Sequence, residues 1–530
     1  MSGIRRIGCT LFLSMAVLAL PARAETVLRE GNAAECGTLD PEKFQQTNED
    51  RIISDLYEGL TTALPGGKIG PGQAESWTVS EDGKVWNFTL RPGLEWSDGT
   101  ALTAEDFVYS LRRQIDPANG FVNAYLVDSL VNAVDIEAGK EKDLAKLGAE
   151  APDPRIVRIT LHAPNAALPA ILSKLRPVHR GSIEADPHEA FRPGHMVSNG
   201  AYQLTEWQQQ ARIVLTKNPH YWDAAHVRID RVEFYPVEDA TEELKRYRAG
   251  GLDITATVPH DQLDMIKSTL GAEYMSYPYL GVYYLGFNLT RPPFKDNFKL
   301  REALTLAVDR ERLVDKIAVG GNTPAYGYIP PGMAGYPNSS LAWRELPQTE
   351  REAMARRDYA EAGYSAEHPL TVELSYNTSD NHKKLMIAIA GMWKQVLGVN
   401  TTLSNQEFKT FLDVRREKKT TEAFRGGYIA AYDDPAPMME IFRSANPRND
   451  SGYYDDEFDR MFEQAIDEPD AAKRFSLLAA AEARTLAVLP VLPLFHYASE
   501  HMVKPYVKGL IASPRDSYRT QDLEIAKQPS

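Results

Sequence analysis

Cysteine is nearly absent from this 530-residue chain, which carries only Cys9 and Cys36. Cys9 sits in an N-terminal stretch that reads as a leader, so Cys36 is left without a partner and no internal disulfide is expected. Stability must then come from burial of apolar surface. Positive charge is also in short supply. Lys and Arg number 59 against 73 Asp and Glu, a net charge of −14, which argues against nucleic acid or an anionic membrane as partner. Repeats and low-complexity tracts are missing, and beyond the leader no run is apolar enough to cross a bilayer.

The leader has the layout of a cleaved secretory signal. Arg5 and Arg6 precede an uncharged stretch from Ile7 to Leu20, Pro21 ends it, and Ala22-Arg23-Ala24 supplies small residues ahead of Glu25. Residues 1–24 are therefore read as a signal peptide and the remainder as an exported, periplasmic protein. Loss of Arg5, Arg6 and Arg23 leaves that remainder still more acidic.

Catalytic motifs are absent as well. His188-Glu189 with His195 resembles a zinc-protease helix only loosely, because the second ligand should stand at position 192, which is Arg, and Pro193 would break the helix. Gly66-Gly67-Lys68 is followed by Ile69, where a phosphate loop needs a hydroxyl, so a hairpin turn explains the glycines better. There is no nucleophile elbow. The 11 histidines are scattered, with no two spaced to share a helix face, so no metal site and no cofactor are expected.

What is present is an alternation of strands and helices, the pattern of an α/β protein of two or three domains. Thr26–Arg29 and Val85–Leu90 read as strands, and Glu49–Leu60 as a helix with Ile52, Ile53, Leu56 and Tyr57 on one face. Thr103 is placed to cap a helix that opens with Glu105-Asp106. Leu300–Ile317 has the spacing of one long helix. His382–Leu397, between strands Leu370–Leu374 and Val399–Leu403, predicts a parallel strand-helix-strand unit.

Several blocks then match one family in order. Ala74-Glu75-Ser76-Trp77, Val85-Trp86-Asn87-Phe88, Trp96-Ser97-Asp98-Gly99-Thr100 and Ala104-Glu105-Asp106-Phe107-Val108 come first. Asn199-Gly200-Ala201-Tyr202, Asn218-Pro219-His220-Tyr221-Trp222, Ala307-Val308-Asp309-Arg310 and Tyr376-Asn377-Thr378-Ser379-Asp380 follow. From about Leu39 to about Tyr506 the chain resembles the bacterial oligopeptide-binding proteins, solute receptors of ABC importers. The resemblance implies two ligand-gripping lobes joined by a hinge, with an extra domain inserted in the first. On that pattern the first lobe takes 25–58, 180–280 and 491–530, the inserted domain 59–179, and the second lobe 281–490. It also implies a monomer without catalytic residues, which delivers an oligopeptide to an inner-membrane permease with ATPase subunits.

The resemblance carries over site residues too. His382, Arg415 and Arg425 correspond to basic groups that receive the peptide carboxylate, and Arg suits this through its paired N–H donors. Tyr125, Tyr279, Tyr284, Phe408 and Tyr428 correspond to aromatic walls of the cleft. Gln45 stands where the family carries an acidic residue, and Gly281 and Ile429 where some relatives carry a disulfide. Ala431 replaces the aspartate that holds the peptide amine, and an unpaired buried ammonium would cost on the order of 2–5 kcal/mol. Either Asp433 or Asp434 replaces that carboxylate, or the ligand is a modified peptide, a murein peptide or a non-peptide solute.

Overall fold

The computed structural model describes residues 25–526 apart from 166, 334, 431 and 469. The leader and Ala431 lie outside the described residues. Three main sheets organise the chain. In the first, Val27–Gly31 pairs in parallel with Arg231–Tyr235, which continues antiparallel to Arg212–Lys217 and Tyr202–Gln208. The second is antiparallel and orders Ala74–Val79, Val85–Leu90, Ile156–Thr160 and Ala149–Asp153. The third, six-stranded and mixed, orders Thr323–Pro324, Val491–Met502, Tyr274–Phe287, Ala423–Ile429, Thr371–Asn377 and Asn400–Gln406.

Local chemistry accounts for most boundaries. The helix expected over Glu49–Leu60 runs Thr47–Leu56, because Gln46 and Glu49 form a capping box at its start and Tyr57 is already extended. Thr103 and Asp106 cap Ala104–Ile115 in the same way. Thr371–Asn377 and Asn400–Gln406 pair in parallel around helix Asp380–Leu397, which Ser379 opens and Gly398, at φ 77°, closes. The glycines at 66 and 67 turn a hairpin between Thr61–Ala63 and Ile69–Pro71.

One helix differs from expectation. Leu300–Ile317 is two helices, Phe298–Leu306 and Arg310–Lys316. Asp309 caps the second by accepting from the Arg312 N–H, and buried Arg310 donates to the carbonyls of Thr305 and Val308. A capping carboxylate and a guanidinium that satisfies terminal carbonyls make a break here cheaper than continuation. The apolar spacing alone cannot show this.

Two long strands, Tyr274–Phe287 and Val491–Met502, join separate cores. Their outer halves pair from Tyr274 with Met502 to Pro278 with Ala498. Met502 and Tyr274 pack with Leu244, Tyr247 and Ile266. Their inner halves pair from Val282 with His496 to Gly286 with Val491, within a core of Tyr283, Leu285, Phe287, Leu492 and Phe495. Between them the register breaks, and Leu280 instead donates to the Pro514 carbonyl and accepts from the Ala430 N–H. Two strands with an interrupted ladder are the soft connection between the two lobes.

A charged cluster clamps the outer halves. His501 donates from Nδ1 to the Thr255 carbonyl at 2.7 Å, and its Nε2 lies 2.8 Å from Asp516, which also accepts from Tyr277 at 2.6 Å. Burial alone would lower the His501 pKa, but the Asp516 carboxylate outweighs it and carries His501 up to about 9. The folded pKa lies above the unfolded value near 6.5, so the stabilisation is complete below pH 6.5 and lost as pH rises through about 9. The His501 share of the stability measured by urea unfolding should therefore fall by on the order of 3 kcal/mol between pH 6 and pH 9.5, read as the difference between the unmodified protein and His501→Gln. The His501→Gln variant should flatten that part of the profile; an unchanged slope would contradict the assignment.

Candidate functional site

A cavity of about 530 Å³ lies where the two lobes meet. One wall comes from the loop and helix start around Gln45–Asp50, with Lys174 and Arg515 beside it. Tyr125 enters from the short helix Ala124–Val127. The opposite wall is helix Phe408–Glu417 and strand Ala423–Ile429, with Tyr279 and Tyr497 where the long strands cross between lobes.

Strand Ala423–Ile429 is the main platform. It pairs along its length with Tyr274–Phe287, which sets Gly281 opposite Ile429. On its other side it pairs with Thr371–Asn377 only at Ala423 and Phe424. From Arg425 onward that edge carries no ladder among the described residues, and Gly427, Tyr428, Ile429 and Ala430 line the cavity. Two glycines make room for the neighbouring rings. A Cβ at Gly426 would stand 2.2 Å from the Tyr284 ring, and one at Gly427 would stand 2.7 Å from the Tyr497 hydroxyl.

Of the residues singled out in the sequence, Gln45, Tyr125, Tyr279, Tyr284, Phe408, Arg415, Arg425 and Tyr428 line this cavity. His382 stands one layer back, because Tyr283 intervenes. Its Nδ1 lies 3.2 Å from the Tyr283 hydroxyl, and the Arg425 guanidinium sits 4.9 Å from the Tyr283 ring. Burial and the nearby Arg425 charge hold its pKa well below the usual histidine value, so it is neutral at physiological pH and adds no positive charge. Asp433 is exposed and does not line the cavity. Asp434 is buried and engaged elsewhere, since both of its oxygens accept from Arg474 and one also accepts from the Ala436 N–H.

Sequence reasoning missed Arg416, next to Arg415, and Lys174, Arg448, Tyr497 and Arg515, which come from separate segments and carry no motif. They change the electrostatics of the site. Lysine and arginine contribute six lining residues against two carboxylates, in a protein that is acidic overall. Both carboxylates are occupied. Asp50 pairs with Lys174 and Arg176, and Asp450 pairs with Arg415 at 2.6 Å. Burial lowers Lys174 to about 8, against the pull of Asp50. Arg425 and Arg448 have no carboxylate within 4 Å among the described residues. Arg425 bonds Tyr497 and Asn377, at 3.3 and 3.5 Å, and lies against the Tyr283 phenol, and its buried Nε has no partner among the described residues. The cleft is arranged to receive anionic groups at a backbone edge between aromatic rings.

The profile of the bacterial extracellular solute-binding proteins, family 5 middle, matches residues 68–450. The chain belongs to this family. It is 37% identical to the periplasmic oligopeptide-binding protein OppA of Escherichia coli, over 96% of this chain and 93% of that protein. The structure of the E. coli murein tripeptide binding protein MppA superposes with a TM-score of 0.91 at 32% identity, covering 96% of this chain and 99% of that one. The unliganded open form of MppA reaches only 0.73, over 96% and 98% of the two chains. The lobes here are therefore arranged unlike those of that open form.

The two neighbouring aspartates should behave differently when neutralised. Asp434→Asn leaves the buried Arg474 guanidinium without its counter-charge, at a cost of about 3 kcal/mol. Asp433→Asn should change stability by no more than about 0.5 kcal/mol. Urea unfolding of both variants checks this, and equal effects would contradict the placement.

Proposed function

We propose that this protein is the periplasmic receptor of an ABC importer, exported through a cleaved signal peptide, which binds oligopeptides as a monomer between its closing lobes. It hands them to an inner-membrane permease driven by ATPase subunits and performs no catalysis itself. The observation that carries the reading is the open edge of strand Ala423–Ile429 beside the carboxylate-free Arg425. An extended peptide can add to such an edge through its main chain, independently of side-chain identity. Arg425 would then receive the terminal carboxylate, while Tyr125, Tyr284 and Phe408 flank the side chains.

Closure follows from differential affinity. A peptide that touches both Gln45–Asp50 and the Arg425 wall gains full contact only when the lobes meet, so binding shifts the population toward that form. The permease reads the closed shape. Murein peptides are a second reading, favoured by the surplus of cationic side chains in the cavity, because such peptides carry more than one carboxylate.

Thermal unfolding of ligand-free protein with a short peptide at about 100 times its Kd should reflect a gain of about 2.7 kcal/mol. Amidating the peptide C-terminus should remove most of that gain. Acetylating its N-terminus should preserve it, since both carboxylates lining the cavity are already paired. If the amide stabilises as well as the free acid, Arg425 does not receive the carboxylate and the proposed orientation falls.

A further inference from the structure

Arg425 accounts for one anionic group; a second guanidinium in the same cavity has no assigned task. Arg448 lines the cavity with its charge 5.5 Å from the centre of the Tyr428 ring. The phenol of Tyr125 bonds both the Arg448 guanidinium and the Tyr428 hydroxyl. The charge of Asp450 reaches Arg448 without an ion pair, and Glu440 acts on the neighbouring Tyr125 and Tyr428. Asp450 pairs with Arg415, and Glu440 is held by Arg443 at 3.1 Å and by Asn446 at 3.2 Å. Arg448 itself has no ion pair within 4 Å among the described residues. Its surroundings, two phenol hydroxyls and a guanidinium, offer donors for a single anionic group.

We propose that Arg448, with Tyr125 and Tyr428, forms a second anion subsite, and that the ligand is a short peptide bearing an acidic group in addition to its terminal carboxylate. This rests on the peptide reading above and narrows it. The spacing fits. Arg425 and Tyr428 are three residues apart on one strand, roughly 10 Å along its axis, and although the pleat turns their side chains to opposite faces, both line the same cavity. An extended tripeptide spans about the same length, so its carboxyl end on Arg425 brings an acidic side chain near its start to the Arg448 end. An ion-paired, desolvated carboxylate gains more there than a neutral amide of the same shape.

Calorimetric titration of ligand-free protein with Glu-Ala-Ala, Gln-Ala-Ala and Ala-Ala-Ala tests this directly. A fourth peptide with a γ-linked D-glutamate distinguishes a cell-wall source from a protein-derived one. The expected result is at least about tenfold tighter binding of an acidic peptide than of the Gln isostere. In Arg448→Gln that preference should vanish, Glu-Ala-Ala and Gln-Ala-Ala binding within about twofold of each other, and Arg448→Lys should keep part of it. Equal binding of acidic and neutral peptides by the unmodified protein would overturn the subsite. A preference undiminished in Arg448→Gln would overturn its assignment to Arg448. If no peptide of either charge binds, the peptide reading itself fails and this proposal with it.

Discussion

A guanidinium enclosed in a cleft with no carboxylate beside it is the constraint on which the rest of this structure depends. Arg425 is held among Tyr283, Tyr497 and Asn377, and Arg448 among Tyr125 and Tyr428, none of which can neutralise it. Burying a charge without its partner is costly, and breaking or withholding a buried pair counts against stability. A folded protein that retains two such groups must offset that cost elsewhere. Here the offset comes from large, separate apolar cores, one around Phe88, Trp96 and Phe234 and another around Phe287, Trp393 and Leu494.

The same constraint links binding to motion. A ligand anion that arrives at Arg425 supplies the missing counter-charge, and its electrostatic worth rises as closure excludes water. The connection between lobes is suited to such movement. Two strands cross, their ladder is interrupted between Pro278 and Val282, and the outer halves are clamped by His501 and Asp516. The pivot is thus rigid on one side and loosely hydrogen-bonded at its centre, so that lobe rotation need not disturb either core.

Much of the fold was legible in the sequence because it is written in local chemistry. Alternating residues at Val85–Leu90, the capping residues Thr103 and Ser379, and Gly398 after its helix each specify an element within a few positions. The break at Asp309 was not legible in the apolar spacing, which runs through it, and Arg310 is fixed there also by the Ala325 and Pro493 carbonyls that only tertiary packing brings to it. The site divides in the same way. Arg425 and Tyr428 stand in a block that resembles a known family, so they could be named. Lys174, Arg448, Tyr497 and Arg515 converge from separate segments, and no spacing rule joins them. His382 was placed at the ligand by resemblance, yet Tyr283 fills the space between it and the cavity. Asp434 is drawn away by Arg474, forty residues later, which a reading of adjacent residues cannot anticipate.

The most direct test of the whole account is native mass spectrometry of the protein isolated from bacterial periplasm without added ligand. The account expects bound masses that, once released and fragmented, resolve into short peptides enriched in carboxylates. A single non-peptide mass, or neutral and basic peptides in place of acidic ones, would contradict it.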